Sequence, residues 1–201
     1  MHVIIDYGLG NLNSVQKGFE RVGLETIITD DLKKIKNAKS IILPGVGAFR
    51  DAIELLKKKD MYELIQEESN KGKPILGICL GMQLLYDKSY EYGEYDGLGL
   101  IKGEIKKMDI SLKVPHMGWN SLKFTKPSDP ILKYISEGDY VYYVHSYYTH
   151  SNNNELIAYS EYEITIPGIV KKENIYGIQF HPEKSGIVGH NILMAYKELI
   201  V

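Results

Sequence analysis

The chain holds a single cysteine, Cys79, and sets it in GICLGMQ (77–83), between Gly77 and Gly81 at the end of an apolar run. With a strand before it and a helix after it, G-x-C-x-G is the cysteine form of a nucleophile elbow. The glycines leave room on a sharp turn where side chains would clash with neighbouring backbone. The turn lifts the sulfur above the sheet and puts it at a helix N-terminus, where the dipole and free N–H groups favour a thiolate. The N–H of Leu80, the next residue, can then point at a developing oxyanion. A buried structural cysteine satisfies GICLG equally well, because free cysteine is among the most buried residue types.

A thiol nucleophile needs a base and an orienting group. The segment IQFHPEKSG (178–186) supplies both. His181 follows an apolar strand, and Pro182 forbids continuation of that strand. Glu183 is two residues on, so extended geometry points its carboxylate to the same side as the imidazole. A carboxylate there sets the tautomer and stabilises an imidazolium. A third segment, ILPGVGAF (42–49), ends a strand with two glycines around Val46, and such a turn can aim backbone N–H groups at an anion.

Positioning these groups demands particular elements. The first half alternates short apolar runs (3–7, 25–29, 40–45, 74–79) with helical spacings (11–23, 48–59, 61–72, 80–89). That pattern predicts a mostly parallel central sheet with helices on both faces, an α/β fold of the flavodoxin-like kind. The second half predicts antiparallel strands at 98–108, 120–124, 140–148, 156–162 and 167–180, one of which rejoins the main sheet, and then a helix over 187–200. With no repeat or low-complexity linker, residues 1–201 read as one domain. Ligands of such sheets bind beyond the carboxyl ends of the strands, here Asp6–Gly10, Pro44–Gly47, Cys79–Gly81, His145–Tyr147 and His181–Glu183.

Composition narrows the function further. Twenty-four basic and 26 acidic residues leave a net charge of -2, so no basic field exists to hold nucleic acid. No apolar stretch reaches the ~18 residues that span a bilayer, the N-terminus lacks a basic signal region, and one cysteine suits a reducing compartment; a cytoplasmic setting is expected. The histidines and cysteine show no zinc-ligand spacing, and GLGNLN (8–13) ends in Asn13 where a dinucleotide loop needs glycine. No metal and no cofactor are expected.

Taken together, GICLGMQ and FHPE resemble the class I (triad) glutamine amidotransferases. DYGLGNLNSV (6–15), LPGVGAF (43–49), VPHMGWN (114–120), YYVHSYY (142–148) and IQFHPEKSG (178–186) resemble, within that class, the glutaminase subunits of imidazole glycerol phosphate synthase. The resemblance spans the whole chain, in order. It implies a Cys79–His181–Glu183 triad acting on the side-chain amide of glutamine, with an oxyanion hole from the N–H groups of Leu80 and Val46. It further implies glutamine contacts from Gly47, Gln83, Ser146 and Tyr147. The ammonia released would pass to a partner, a (β/α)8-barrel cyclase subunit in a heterodimer, which makes imidazole glycerol phosphate and aminoimidazole carboxamide ribotide in histidine biosynthesis. The partner face would include Asn11, His116, Trp119, Asn120 and Lys184. From residues alone, Trp119 fits a core aromatic as well as an interface anchor. A PGVG strand resting in the wrong orientation would leave the glutaminase idle until the partner is loaded.

Other readings share much of this pattern. Anthranilate synthase and pyridoxal phosphate synthase glutaminases carry the triad but not PGVG with PHMGWN. A paralogous pair aminating a different substrate, such as a sugar nucleotide, could carry every motif, and a non-catalytic flavodoxin-like module is the alternative from outside enzymology.

Overall fold

The computed structural model describes residues 1–151 and 153–201. Its first half runs β1 (His2–Ile5), α1 (Leu12–Arg21), β2 (Thr26–Thr29), α2 (Leu32–Asn37), β3 (Ser40–Gly45), α3 (Phe49–Lys58), α4 (Met61–Asn70), β4 (Ile75–Cys79) and α5 (Leu80–Leu84). The second half adds β5 (Tyr86–Ser89), β6 (Tyr95–Asp96), β7 (Ile101–Lys107), β8 (His116–Ser121), β9 (Lys123–Phe124), β10 (Tyr140–His145), β11 (Tyr147–His150), β12 (Leu156–Tyr162), β13 (Ile164–Lys172), β14 (Ile175–Ile178) and α6 (Gly186–Ile200).

The main sheet has the order β2-β1-β3-β4-β14-β13-β12-β9. From β2 to β14 every pairing is parallel; beyond β14 the strands are antiparallel. Both faces of the parallel part are covered, which is why its strands are apolar without alternation. Ile41 and Leu43 of β3 pack into one core with α3, α4 and α5, through Phe49, Ile53, Leu56, Ile65 and Leu80. Ile42 between them faces the other core, with Val15 and Phe19 of α1 and Ile192, Leu193 and Tyr196 of α6.

Three expectations change. The helix expected over 80–89 stops at Leu84, and Tyr86–Ser89 is a strand. The carbonyls of Leu84 and Leu85 accept N–H groups from Leu98, Leu100 and Ile101 instead of from the next helical turn. The stretch 140–148 is two strands in two sheets: β10 pairs β8, and β11 pairs β7. The run 167–180 is the arm β13, the turn at Glu173–Asn174 and β14, which enters the main sheet parallel to β4. Among the described residues no helix is long and apolar enough to cross a membrane.

Candidate active site

Three neighbouring parallel strands end at one edge and carry the three sequence motifs. β3 ends in the Pro44–Gly47 turn, β4 ends at Cys79, and β14 leads to His181. Gly45 lies directly beside Cys79 in register, and Ile78 beside Ile178.

Cys79 sits at φ 56°, ψ −113°, immediately before α5. A non-glycine residue in this region carries strain of order 1–3 kcal/mol, and such strain concentrates at functional sites. The flanking glycines are required by close approach. A Cβ on Gly81 would lie 1.7 Å from the Leu43 carbonyl oxygen, and one on Gly77 would lie 2.6 Å from the Gly81 oxygen. The elbow is thus pressed against β3 on one side and against its own strand on the other. Leu80 opens α5, where backbone N–H groups have no intrahelical acceptor.

His181 Nδ1 and Glu183 Oε1 are 2.8 Å apart, with both side chains almost wholly buried. The pair does not arise as extended geometry predicts. Pro182–Lys184 is a 3-10 turn, and the turn folds the carboxylate back onto the ring. The His181 N–H donates to the Tyr142 carbonyl, and Ser185 Oγ donates to the His181 carbonyl, so backbone and ring are held from both sides. His181 Nε2 is buried and has no hydrogen-bond partner among the described residues. Burial disfavours the imidazolium, yet the neighbouring Cys79 sulfur and Glu183 carboxylate outweigh it and raise the His181 pKa to about 9. The arrangement therefore favours a proton on the ring when Cys79 carries negative charge.

A cavity of about 350 Å³ opens above these groups, a size suited to a small metabolite. Cys79, Leu80, His181, Val46, Gly47 and Gln83 line it, together with His145, Ser146 and Tyr147 from the β10–β11 corner. Gln83 lies one helical turn after Cys79; its Nε2 donates to the Tyr147 carbonyl (3.0 Å) and to Gln179 Oε1 (3.0 Å). Gly47 has φ +95°, and a Cβ added to it would meet nothing within 4 Å, so the turn needs its conformation and not its small size.

Two residues escaped the sequence reading. Glu91 reaches the cavity from the β5–β6 connection, buried, its Oε2 accepting the Phe49 N–H at 2.8 Å. Burial pushes its pKa up, the Phe49 N–H opposes this, and Asp51 adds to the rise. Nothing near it in sequence marks a site. Tyr7 does not line the cavity but braces it: its buried hydroxyl donates to the Pro44 carbonyl at 2.9 Å. The Asp6–Gly10 turn thus supports the PGVG turn from behind and does not hold a ligand in the cavity.

Among the residues expected on the partner face, His116 is buried within the chain. Strand alternation turns His116 and Asn120 inward and Met117 and Trp119 outward. His116 is 3% exposed, while Met117 and Trp119 are 57% and 55% exposed. The Asn120 amide is spent internally, donating to the Glu161 carbonyl and accepting from the Ser121 N–H. Asn11 and Lys184 are exposed, and Ile187, 70% exposed, lies three residues past Lys184. Among the described residues no group of three or more His, Cys, Asp or Glu side chains could hold a metal ion.

The model of the class-I glutamine amidotransferase family matches residues 3–195. The imidazole glycerol phosphate synthase subunit HisH of Lactococcus lactis is 54% identical over 199 residues, covering 98% of each chain. The HisH subunit of Oceanobacillus iheyensis is 52% identical over 201 residues and covers both chains completely. Among solved structures, a crystal structure of a glutamine amidotransferase superposes with a TM-score of 0.78 at 15% identity, over 98% of both chains. PurLQS from Thermotoga maritima gives 0.77 at 18% identity, over 100% of this chain and 98% of that one; at such identity the likeness speaks to fold alone. An elbow cysteine, a carboxylate-held histidine just past the adjacent strand and this sequence kinship lead to one conclusion: the chain belongs to the class-I glutamine amidotransferases, in the family of HisH subunits of imidazole glycerol phosphate synthase.

Proposed function

We propose that the chain, as one domain over 1–201, hydrolyses glutamine to glutamate and ammonia with Cys79 as nucleophile, His181 as base and Glu183 as its orienter. The Cys79 thiol gives its proton to His181 Nε2 as the sulfur attacks the side-chain amide carbon. The Leu80 N–H, with that of Val46, stabilises the oxyanion. His181 returns the proton to the departing ammonia, leaving a glutamyl thioester. His181 then takes a proton from water as the water attacks this thioester; the carbon–sulfur bond breaks, the sulfur takes that proton back from His181, and glutamate leaves. Gln83, Gly47, Ser146 and Tyr147 hold the substrate, and the buried Glu91 carboxylate is suited to its α-ammonium group.

Ammonia becomes useful only if a second active site consumes it. The proposed consumer is a (β/α)8-barrel cyclase subunit, which makes imidazole glycerol phosphate and aminoimidazole carboxamide ribotide in the cytoplasm. The apolar side chains of Met117, Trp119 and Ile187, all exposed, support a protein partner on that face.

The observation that carries the reading is the unpartnered, buried His181 Nε2 beside strained Cys79, with Glu183 on the far nitrogen. Cys79→Ser in the assembled complex should lower glutamine hydrolysis by ~10⁴-fold or more, as loss of a triad nucleophile does elsewhere. Retention of the activity would leave a binding module as the better reading.

A further inference from the structure

Two buried histidines outside the triad sit side by side, and one carbonyl fixes the direction of every hydrogen bond around them. His145 Nδ1 is 2.8 Å from the Tyr147 carbonyl oxygen, so that nitrogen carries the proton. His145 Nε2 then accepts from His116 Nδ1, 2.9 Å away. His116 Nε2 in turn accepts from Asn120 Nδ2, at 3.3 Å. Each neutral ring uses its one donor and its one acceptor, and no group in the chain is left facing a like partner.

Burial holds both rings neutral. It lowers the His145 pKa to about 3, against the pull of the Tyr147 carbonyl and with a smaller push from His116 and His181. It lowers the His116 pKa to about 4. The His116 ring is further fixed between those of Tyr143 and Tyr162, stacked at 4.6 and 4.1 Å.

Both ends of this chain matter. At the inner end the Tyr147 carbonyl also accepts from Gln83 Nε2. Gln83 donates as well to Gln179 Oε1, and Gln179 Nε2 reaches Cys79 Sγ at 4.0 Å. At the outer end Asn120 adjoins Trp119 on β8, whose side chain stands in solvent. A run of directional bonds therefore connects the exposed strand to the floor of the cavity.

We propose that His116 is a positioning residue for glutamine. It acts through His145 to hold the Tyr147 carbonyl, and with it Gln83, in one place, and ties that place to β8. This rests on the glutaminase reading above.

The test uses two variants and two readouts. His116→Phe keeps a ring to stack on Tyr143 and Tyr162 but leaves the His145 acceptor unpaired; His116→Asn puts an amide N–H where the Nδ1–H lay. In the complex with the partner subunit, H116F should raise KM for glutamine about tenfold, the cost of a buried acceptor left unmade, with kcat within about twofold. H116N should recover most of that KM. Nitrogen NMR of the wild-type full chain should find both rings neutral and protonated on Nδ1 from pH 5 to 8. An unchanged KM in folded H116F overturns the proposal. So does H116N behaving no better than H116F, or either ring carrying its proton on Nε2. A wild-type complex that hydrolyses no glutamine would sink the glutaminase reading instead, while the NMR result would still decide the bonding of the two rings.

Discussion

Gly81→Ala tests the construction of the elbow most directly. The added Cβ would fall 1.7 Å from the Leu43 oxygen and 2.7 Å from its carbonyl carbon, where real Cβ contacts essentially never fall below 3.0 Å. Neither atom can swing aside, since Leu43 lies in β3, paired with Gly77 of β4 and buried on both faces. Either β3 and α5 separate or the turn at Cys79 unwinds. Overpacking of ordinary core sites costs ~1–3 kcal/mol, and a backbone-to-backbone collision belongs at or above the top of that range. Set against a typical total stability of ~5–15 kcal/mol, about 3 kcal/mol lowers the melting temperature of a chain this size by roughly 6–12 °C. Gly72→Ala is the control: its Cβ meets nothing within 4 Å, and only the φ of +85° is unfavourable, a cost of ~1–2 kcal/mol. Calorimetry of both variants, with a glutaminase assay in the complex, should show G81A less stable than G72A and inactive, and G72A active. A G81A protein that melts no lower than G72A and still hydrolyses glutamine would refute the argument that packing against Leu43 shapes the elbow.

Further outcomes follow from the same geometry. Glu183→Gln removes the charge beside His181 Nδ1, so the His181 midpoint should drop from about 9 toward its ordinary value, as followed by NMR titration, and glutamine hydrolysis should fall ~10²-fold or more. Because the folded value lies above 6.5, the His181 proton stabilises the native state fully below about pH 6.5, and the contribution disappears as pH rises through about 9. E183Q should flatten that part of the stability profile, and an unaltered profile would count against the pairing. Trp119→Ala should weaken binding of the partner subunit by ~10–30-fold, as for an aromatic anchor, while leaving the melting temperature nearly unchanged because the ring is 55% exposed. Equal affinity in a titration would place the interface elsewhere.

Much of the fold was legible in the sequence, and for a specific reason. Strands β1 to β4 are short apolar runs between amphipathic helices, a pattern written within a dozen residues at a time. The bounds of β3 and β12 emerge as read, Ser40–Gly45 and Leu156–Tyr162. Where the reading failed, the deciding partner was distant. Leu85 has the composition of a helix interior, but its carbonyl is claimed by Leu100 and Ile101. The stretch 140–148 reads as one strand, yet the chain changes sheets at Ser146, because β8 and β7 claim its two halves.

The candidate site divides along the same line. By itself the sequence determined that a cysteine stands between two glycines after a strand, and that a histidine precedes Pro182 and a glutamate: local chemistry needs only local spacing. Tertiary structure alone decided that β3, β4 and β14 are neighbours, so that PGVG, Cys79 and His181 meet at one edge. It also decided that Glu91 enters the cavity, that Tyr7 braces Pro44, and that His116 turns inward to His145. Each of these depends on a contact between residues far apart in the chain, and such contacts are set by how the sheet pairs and which face of a strand is covered. No short-range spacing records either.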